Sequence, residues 1–400
     1  MKKKKLITCT VVLVTAAVIL GFVLKNQVRE NPDKNTVNVA IGQWDTTQNE
    51  SQNYWNPDNH AVAKGMGGYY FIQTTDGISK IAFFDETTQE AVAVCAKPEC
   101  THSDNTCNAY LCDMKQTGSA LYLTDTIYCY NGYLYLIQCE GGMGKLVRIH
   151  TDGSARETIA DLFANTGVSS ISLVFHENDV YAYDDTGHAG QEEEAEEVIK
   201  KISLTDGTEQ TVFSYTGTGA SIDRGRSFGD KLYFVIREYT KNKETKAVSS
   251  DYKGLFEYDF ATGDTRKVID ADVCDYHADT ENQTLFYFVQ GTGLYAYDMT
   301  QGSNTLIYPA EDELIQCKMS YDGKNLYLFN NGAGRATETK ARTQRYCYVL
   351  DTKGNQIAKI LCNGVVYFGD TDYLFEENGD NLEYMKKENL SDKSEWILIN

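Results

Sequence analysis

The sequence predicts an all-β fold, a β-propeller of seven four-stranded blades, preceded by one transmembrane helix. Three observations predict it. A tyrosine-rich apolar phrase recurs along the chain: GYLYLIQC at 132–139, VYAYDD at 180–185, LYFVIRE at 232–238, LFYFVQ at 285–290, LYLFNN at 326–331 and DYLFEE at 372–377. Similar turn pairs fall at similar places around each copy. Prolines number only 4 in 400 residues, which suits strands with few interruptions. A repeated unit too small to bury its own apolar faces points to units packed side by side around an axis.

Leu6 to Leu24 is an uncharged run of 19 residues. As a helix it is about 28 Å long, enough to cross a bilayer. Lys2, Lys3, Lys4 and Lys5 precede it, which orients residues 1–5 to the cytoplasm and the remainder outside. Lys25-Asn26-Gln27-Val28-Arg29 follows without a small-residue cleavage site, so 6–24 reads as an uncleaved signal anchor in the cell membrane. Residues 25–65, rich in Asn, Gln, Asp and Thr, read as a polar stalk.

The propeller is expected over 66–400, in units near 66–95, 119–161, 171–215, 221–270, 272–310, 314–362 and 364–400. Turns between first and second strands carry Asn131-Gly132, Asn178-Asp179, Gly229-Asp230, Glu281-Asn282 and Asp322-Gly323. Turns between third and fourth strands carry Asp152-Gly153, Asp206-Gly207, Thr262-Gly263, Gln301-Gly302 and Lys353-Gly354. Such pairs accept the positive φ that tight hairpins require. The first unit reads as short by a strand. The closing strand, 395–400, is expected either beside the first unit or as the completion of the last. Two packed β-sandwiches with similar hairpins are the alternative architecture.

Formal net charge is −20. Six of the 37 Lys and Arg fall in 1–29, which holds no acids, leaving 31 against 57 Asp and Glu beyond, or −26. A surface so acidic repels polyanions and argues against nucleic acid as a partner.

Between the first two units lies a cysteine-rich insert, 95–112. Cys95, Cys100, His102 and Cys107 have the types and short spacing of a closed structural zinc site. Together with Cys112, the same cysteines have an alternative in disulfides, which an extracytoplasmic location favours. Free thiols are the third reading; all three stand at this level, and structural zinc is the one cofactor suggested. Cys129, Cys139, Cys274, Cys317, Cys347 and Cys362 read as small buried apolar residues. Hairpin register sets Cys129 opposite about residue 134 and Cys347 opposite about residue 358, not opposite another cysteine.

The segments GYLYLIQCEGGMGKLVRIHTDGSARETI (132–159) and NLYLFNN…RYCYVLDTKGNQIAKI (325–360) resemble the lipoprotein-receptor-related (YWTD-type) and TolB-like propellers of bacterial surface proteins. The cysteine segment resembles one in uncharacterised, membrane-anchored propellers of Gram-positive gut bacteria. The resemblance covers 66–400, although the YWTD tetrapeptide itself is absent. It implies binding or scaffolding more than catalysis.

In a propeller, one face carries the blade-to-blade and second-to-third-strand connections. Three of the latter are long, 184–198, 239–252 and 331–343, and the cysteine insert reads as one of the former. All four are therefore expected on one face, where long loops on a rigid scaffold bind ligands. Candidate partner-binding residues there are His188, Glu192, Glu193 and Glu194, then Lys241 and Lys243, then Arg335 and Arg342. Such opposite charges on neighbouring loops also pair with one another at little gain. No HExxH, GxSxG, Walker or GxGxxG context appears, and His150, His176 and His277 fall on or beside strands, as structural residues do. The expected function is a non-enzymatic extracytoplasmic binding or scaffold module that captures a protein, peptide or glycan. The alternative is an extracytoplasmic metal-assisted hydrolase or lyase using channel acids such as Asp223 or Asp275. Oligomeric state is not legible in the sequence.

Overall fold

Seven antiparallel sheets, each of at least four strands, follow one another in chain order at 62–113, 121–164, 171–218, 220–269, 273–309, 318–362 and 365–398. The computed structural model describes residues 52–55, 60–95, 97–115, 121–164, 171–184, 194–242, 244–245, 248–311, 314, 317–330, 345–379 and 381–399. No helix among them is long and apolar enough to cross a membrane, and the apolar run 6–24 lies outside them.

The core shows that the sheets close into a ring. It consists of apolar clusters that each span a seam: blades 1 and 2, 2 and 3, 3 and 4, then 4 through 6, 6 and 7, and finally 7 and 1. Alternating strands bury one row of aromatic and β-branched side chains against each neighbour, so every sheet is half of two wedges. The innermost strands of blades 4 and 5, Ala220–Phe228 and Val273–Asp279, are buried along their whole length.

Within each blade the first strand lies innermost and the fourth outermost. Antiparallel order puts first-to-second and third-to-fourth turns on one face, called lower here, and the remaining connections on the upper face. At the lower face Asn131 (φ 49°) and Gly132 (φ 77°) form the hairpin turn of blade 2, both in the left-handed region. Three third-to-fourth turns also touch the preceding blade. A Cβ added to Gly153, Gly207 or Gly354 would lie 2.5, 2.3 or 1.9 Å from the carbonyl of Val94, Ile159 or Ile307 respectively. These glycines are required twice, by φ and by backbone approach across the seam.

Four expectations need correction. The first blade is complete, with its innermost strand Val62–Gly65 inside the stretch read as stalk. Its outermost strand is broken: Ala91–Ala93 pairs with the lower half of Ile78–Asp85, and Tyr110–Asp113 pairs with the upper half. The cysteine insert therefore bulges from the middle of an outer strand and is not a blade-to-blade loop. Finally, Cys347 faces Ile360 rather than residue 358: the pairing Leu350↔Gln356 sets it opposite 359, and a bulge at Val349/Leu350 adds one residue. Cys129 does face Leu134.

The closing strand Ile397–Leu398 completes blade 7, pairing with Asn381–Lys386 of the same sheet. Among the described residues no strand is exchanged between first and last blades. Side chains close the ring instead: Tyr69, Phe84, Tyr373, Phe375 and Tyr384 pack across the seam, and Tyr69 Oη donates to Asp370 Oδ2 at 2.7 Å.

Residues 52–55 and His60 reinforce that closure as a clasp across the lower end of the channel. Gln52 exchanges two hydrogen bonds with the backbone of Phe175 in blade 3, at 2.8 and 2.9 Å. Asn53 does the same with Ser227 in blade 4. Tyr54 lies parallel to His277 of blade 5, and its carbonyl accepts from Ser320 of blade 6 at 3.0 Å. Trp55 packs on Phe375 of blade 7 and Tyr69 of blade 1. His60 stacks on Tyr128 of blade 2, with ring centroids 3.9 Å apart, and donates Nδ1–H to the Ile127 carbonyl at 2.7 Å. One short segment thus touches all seven blades. Its side-chain amides satisfy backbone groups that the innermost strands leave unpaired on their channel side.

Candidate functional site

Four places carry chemistry. The first is the insert. Sγ of Cys95, Cys100 and Cys107 and a ring nitrogen of His102 all lie within 4.8 Å of one another. Cys107 Sγ accepts the Ala109 N–H at 3.3 Å and lies 3.2 Å from His102 Nδ1. Cys112 stands apart, on Tyr110–Asp113 opposite Ser79. No disulfide joins any of the ten described cysteines.

The second is the channel wall. Arg226 Nη1 donates to Asp275 Oδ1 at 2.7 Å and to the Tyr276 carbonyl at 2.6 Å, while Nη2 donates to the Met319 carbonyl at 2.9 Å. Asp275 is wholly buried and also accepts the backbone N–H groups of Tyr276 and Met319. A carboxylate so fully committed is a structural tie between blades 4, 5 and 6. Asp223 pairs with Arg237 Nε at 2.7 Å, and burial pushes its carboxyl up to about 6. Both acids nominated for catalysis are buried and held in ion pairs.

The third is the upper rim of blades 3 and 4. In blade 3 the outer pair Glu194–Ser203 and Glu209–Thr218 continues up to Glu194↔Thr218, six residues past Lys200, the last partner of the second strand. In blade 4 the pair Lys231–Lys241 and Val248–Asp259 continues to Lys241↔Val248, three residues past Glu238, the last partner of the first strand. Because the second strand of blade 3 runs on to Asp184, level with Val198, these strands rise about 13 and 10 Å above their inner neighbours at roughly 3.3 Å per residue. Glu238 takes a hydrogen bond from Tyr215 of blade 3 at 2.8 Å and an ion pair from Lys253 at 2.8 Å, so the two crowns are joined. Of the candidate binding residues, Glu194 is exposed at the start of its strand and Lys241 ends its own. His188, Glu192, Glu193, Lys243, Arg335 and Arg342 lie outside the described residues. All three long loops do join second to third strands, whereas the cysteine insert is separate from them.

The fourth place was not foreseen. A cavity of about 600 Å³ opens on the lower face between blades 6, 7 and 1, lined by Asp322, Tyr327, Asp372, Tyr373, Lys387 and Glu86 among others. Tyr327 Oη donates to Asp322 Oδ2 at 2.7 Å, and Lys387 Nζ to the same oxygen at 3.3 Å. Lys387 also sits 4.1 Å over the Tyr327 ring, and burial pushes its amine below the ordinary value despite Asp322. Nearby, Glu86, Asp370 and Asp372 converge, but Lys64 Nζ already sits between two of them, 2.5 Å from Glu86 and 3.1 Å from Asp370. An ammonium fills the position a cation would take. The cavity is assembled from turns far apart in sequence, and no local pattern marks it. The clasp did leave a signal, the adjacent pair Tyr54-Trp55 inside an otherwise polar stretch.

No protein-family model matches the sequence, and no curated protein sequence matches it either. Solved structures do. Oligogalacturonate lyase from Vibrio parahaemolyticus is 11% identical, with 83% of this chain and 87% of that one covered at a TM-score of 0.51. An oligogalacturonate lyase in complex with manganese is 10% identical, covering 86% and 90% at 0.50. TolB from Acinetobacter baumannii is 13% identical, covering 83% and 79% at 0.40. At these identities the likeness shows the β-propeller fold alone.

Proposed function

We propose that the chain is a non-enzymatic binding propeller, held outside the cytoplasmic membrane by the apolar run 6–24, which captures a polar peptide or glycan on the raised upper rim of blades 3 and 4. The observation that carries this reading is the contrast between channel and rim. Asp275 and Arg226 are held in ties between blades, Asp223 is paired within blade 4, and the lower end of the channel is crossed by the clasp, while two strand pairs project above the ring. The first described residues, 52–55, lie at the lower end, opposite the crowns. Rigid strands carrying exposed charge suit a recognition surface better than a catalytic one.

The test is a peptide and glycan array probed with the full chain and with a variant whose crowns are shortened within 185–193 and 242–247. Loss of the captured ligand is expected, with unchanged thermal unfolding. Undiminished capture by the shortened variant would remove the assignment.

The lower cavity supports a second reading, an enzyme acting on a polar substrate, because Lys387, Asp322 and Tyr327 are proton-transfer groups within reach of one another. Turnover of a ligand from the same array, lost on Lys387→Met, would establish it. Capture without turnover would leave the binding reading alone.

A further inference from the structure

We propose that Cys95, Cys100, His102 and Cys107 hold one zinc ion in a closed tetrahedral site that splices the broken outer strand of blade 1. The excursion from Val94 to Ala109 leaves and rejoins the sheet at the same residue. Val94 N–H donates to the Ile81 carbonyl at 3.0 Å, and Ile81 N–H donates to the Ala109 carbonyl at 2.9 Å. Between these two bonds the chain needs something to hold it.

Its own packing does not suffice. From Lys97 to Cys107 every residue is exposed except Cys100, His102 and Cys107. With Cys95, which is 5% exposed, these are the very side chains that point inward. The apolar cluster beneath them is small, built from the cysteines themselves with Ala93, Ala109 and Tyr110. Folded segments with so little core need a metal or a covalent link. The backbone is also under strain around Cys100, with Glu99 at φ 57° and His102 at φ 56°. Non-glycine residues in that region persist where their surroundings impose it.

The donor set selects metal over disulfide. Three thiols converge, and an odd number cannot pair off among themselves. The fourth thiol of the segment, on Cys112, is outside the cluster. Zinc–sulfur and zinc–nitrogen bonds place tetrahedral ligand atoms roughly 3.5–3.8 Å apart, so the observed cluster, within 4.8 Å, closes with small movements. Soft thiolates with one imidazole and no carboxylate select zinc over calcium or magnesium. The Ala109 N–H on Cys107 Sγ is the outer hydrogen bond that stabilises a coordinated thiolate. Four protein ligands leave no open position, so the ion is structural. Binding releases three thiol protons, and the complex of Zn²⁺ with three thiolates and neutral His102 carries one net negative charge.

The site also reaches the next blade. Arg156 of blade 2 donates to the Asn108 carbonyl, and Gly153 lies against Val94 and Asn108. Zinc therefore fastens the seam of blades 1 and 2 as well as the strand.

Full-length chain purified in detergent under reducing conditions, without added chelator, should carry one zinc per chain by elemental analysis. Exchange with Co²⁺ should give tetrahedral visible bands and thiolate charge transfer. Three thiols should resist alkylation until a chelator is added. Cys100→Ala should lose the metal and Cys112→Ser should keep it. Chain that takes up neither Zn²⁺ nor Co²⁺, an intact mass two hydrogens short with a bridge mapped among the three cysteines, or full zinc in Cys100→Ala would each overturn the site. The cobalt spectrum is read on the unaltered chain, so the test survives a variant that fails to fold.

Discussion

His60 shows at single-residue scale how the clasp depends on pH. Its Nδ1–H is committed to the Ile127 carbonyl, so a second proton must go on Nε2, which is buried without a partner. Burial pushes the imidazole down to about 4, and burial also pushes His277, under Tyr54, well below the usual histidine range. Between about pH 4 and pH 6.5 the unfolded chain binds the His60 proton more readily, so this group makes stability rise with pH and fall as acid is added. The difference amounts to about 3 kcal/mol across that window. Asp223 acts in the opposite sense: its carboxyl is raised to about 6, so the folded chain holds that proton better and stability falls as pH climbs from about 4 to 6. Unfolding midpoints measured from pH 4 to 7 should therefore lose part of their upward slope in His60→Asn and gain slope in Asp223→Asn. Parallel profiles for His60→Asn and the unaltered chain would contradict the burial argument.

At the scale of the element, the turns between third and fourth strands do more than reverse the chain. Gly354 sits at φ 85° with the Ile307 carbonyl where its Cβ would be, so Gly354→Ala combines left-handed strain with a clash across the seam of blades 5 and 6. The two effects together should destabilise by about 2–4 kcal/mol. Gly323→Ala, at a similar φ of 87° but with open space around it, should cost about 1 kcal/mol. Denaturant titration of the pair separates seam packing from turn strain, and equal losses would mean the seam contact contributes nothing. Both glycines read alike in the sequence, as members of a recurring turn pair. What distinguishes them is the neighbouring blade, which hairpin chemistry does not encode.

For the whole molecule, ring closure is the decisive feature. Among the described residues blades 1 and 7 share no strand, so their seam rests on aromatic packing, the Tyr69–Asp370 hydrogen bond, the Lys64–Asp370 ion pair and the clasp. Trp55 is 1% exposed at the junction of both blades. Trp55→Ala should lower stability by about 3–5 kcal/mol. Combined with Gln52→Ala and Asn53→Ala, it should lower one cooperative transition rather than release a local loop. Proteolysis that nicks only the amino end of the triple variant, with the unfolding midpoint unmoved, would show the clasp to be ornamental. Blades 2 to 7 were legible in the sequence, within a few residues, because each is a local hairpin array, whereas blade 1 ran on to Asp113 past its expected end at 95. The clasp was not, because 25–65 is polar on average and its partners are spread over seven blades.

The sequence by itself determined the all-β repeat, the turn chemistry and the placement of three long loops between second and third strands, since all of these follow from alternation and short-range spacing; it pointed to seven blades with six or eight open, and the seven sheets close that count. It also supplied the ligand types Cys95, Cys100, His102 and Cys107. Only the tertiary structure decided that these four converge while Cys112 does not, that their loop interrupts an outer strand, that Asp223 and Asp275 are locked into ion pairs, and that Lys387, Asp322 and Tyr327 share a cavity. The physical reason is distance along the chain. Hairpins are encoded by residues a few positions apart, whereas seams, channel ties and cavities are made where blades separated by tens to hundreds of residues meet, and no local pattern records which side chains will face each other there.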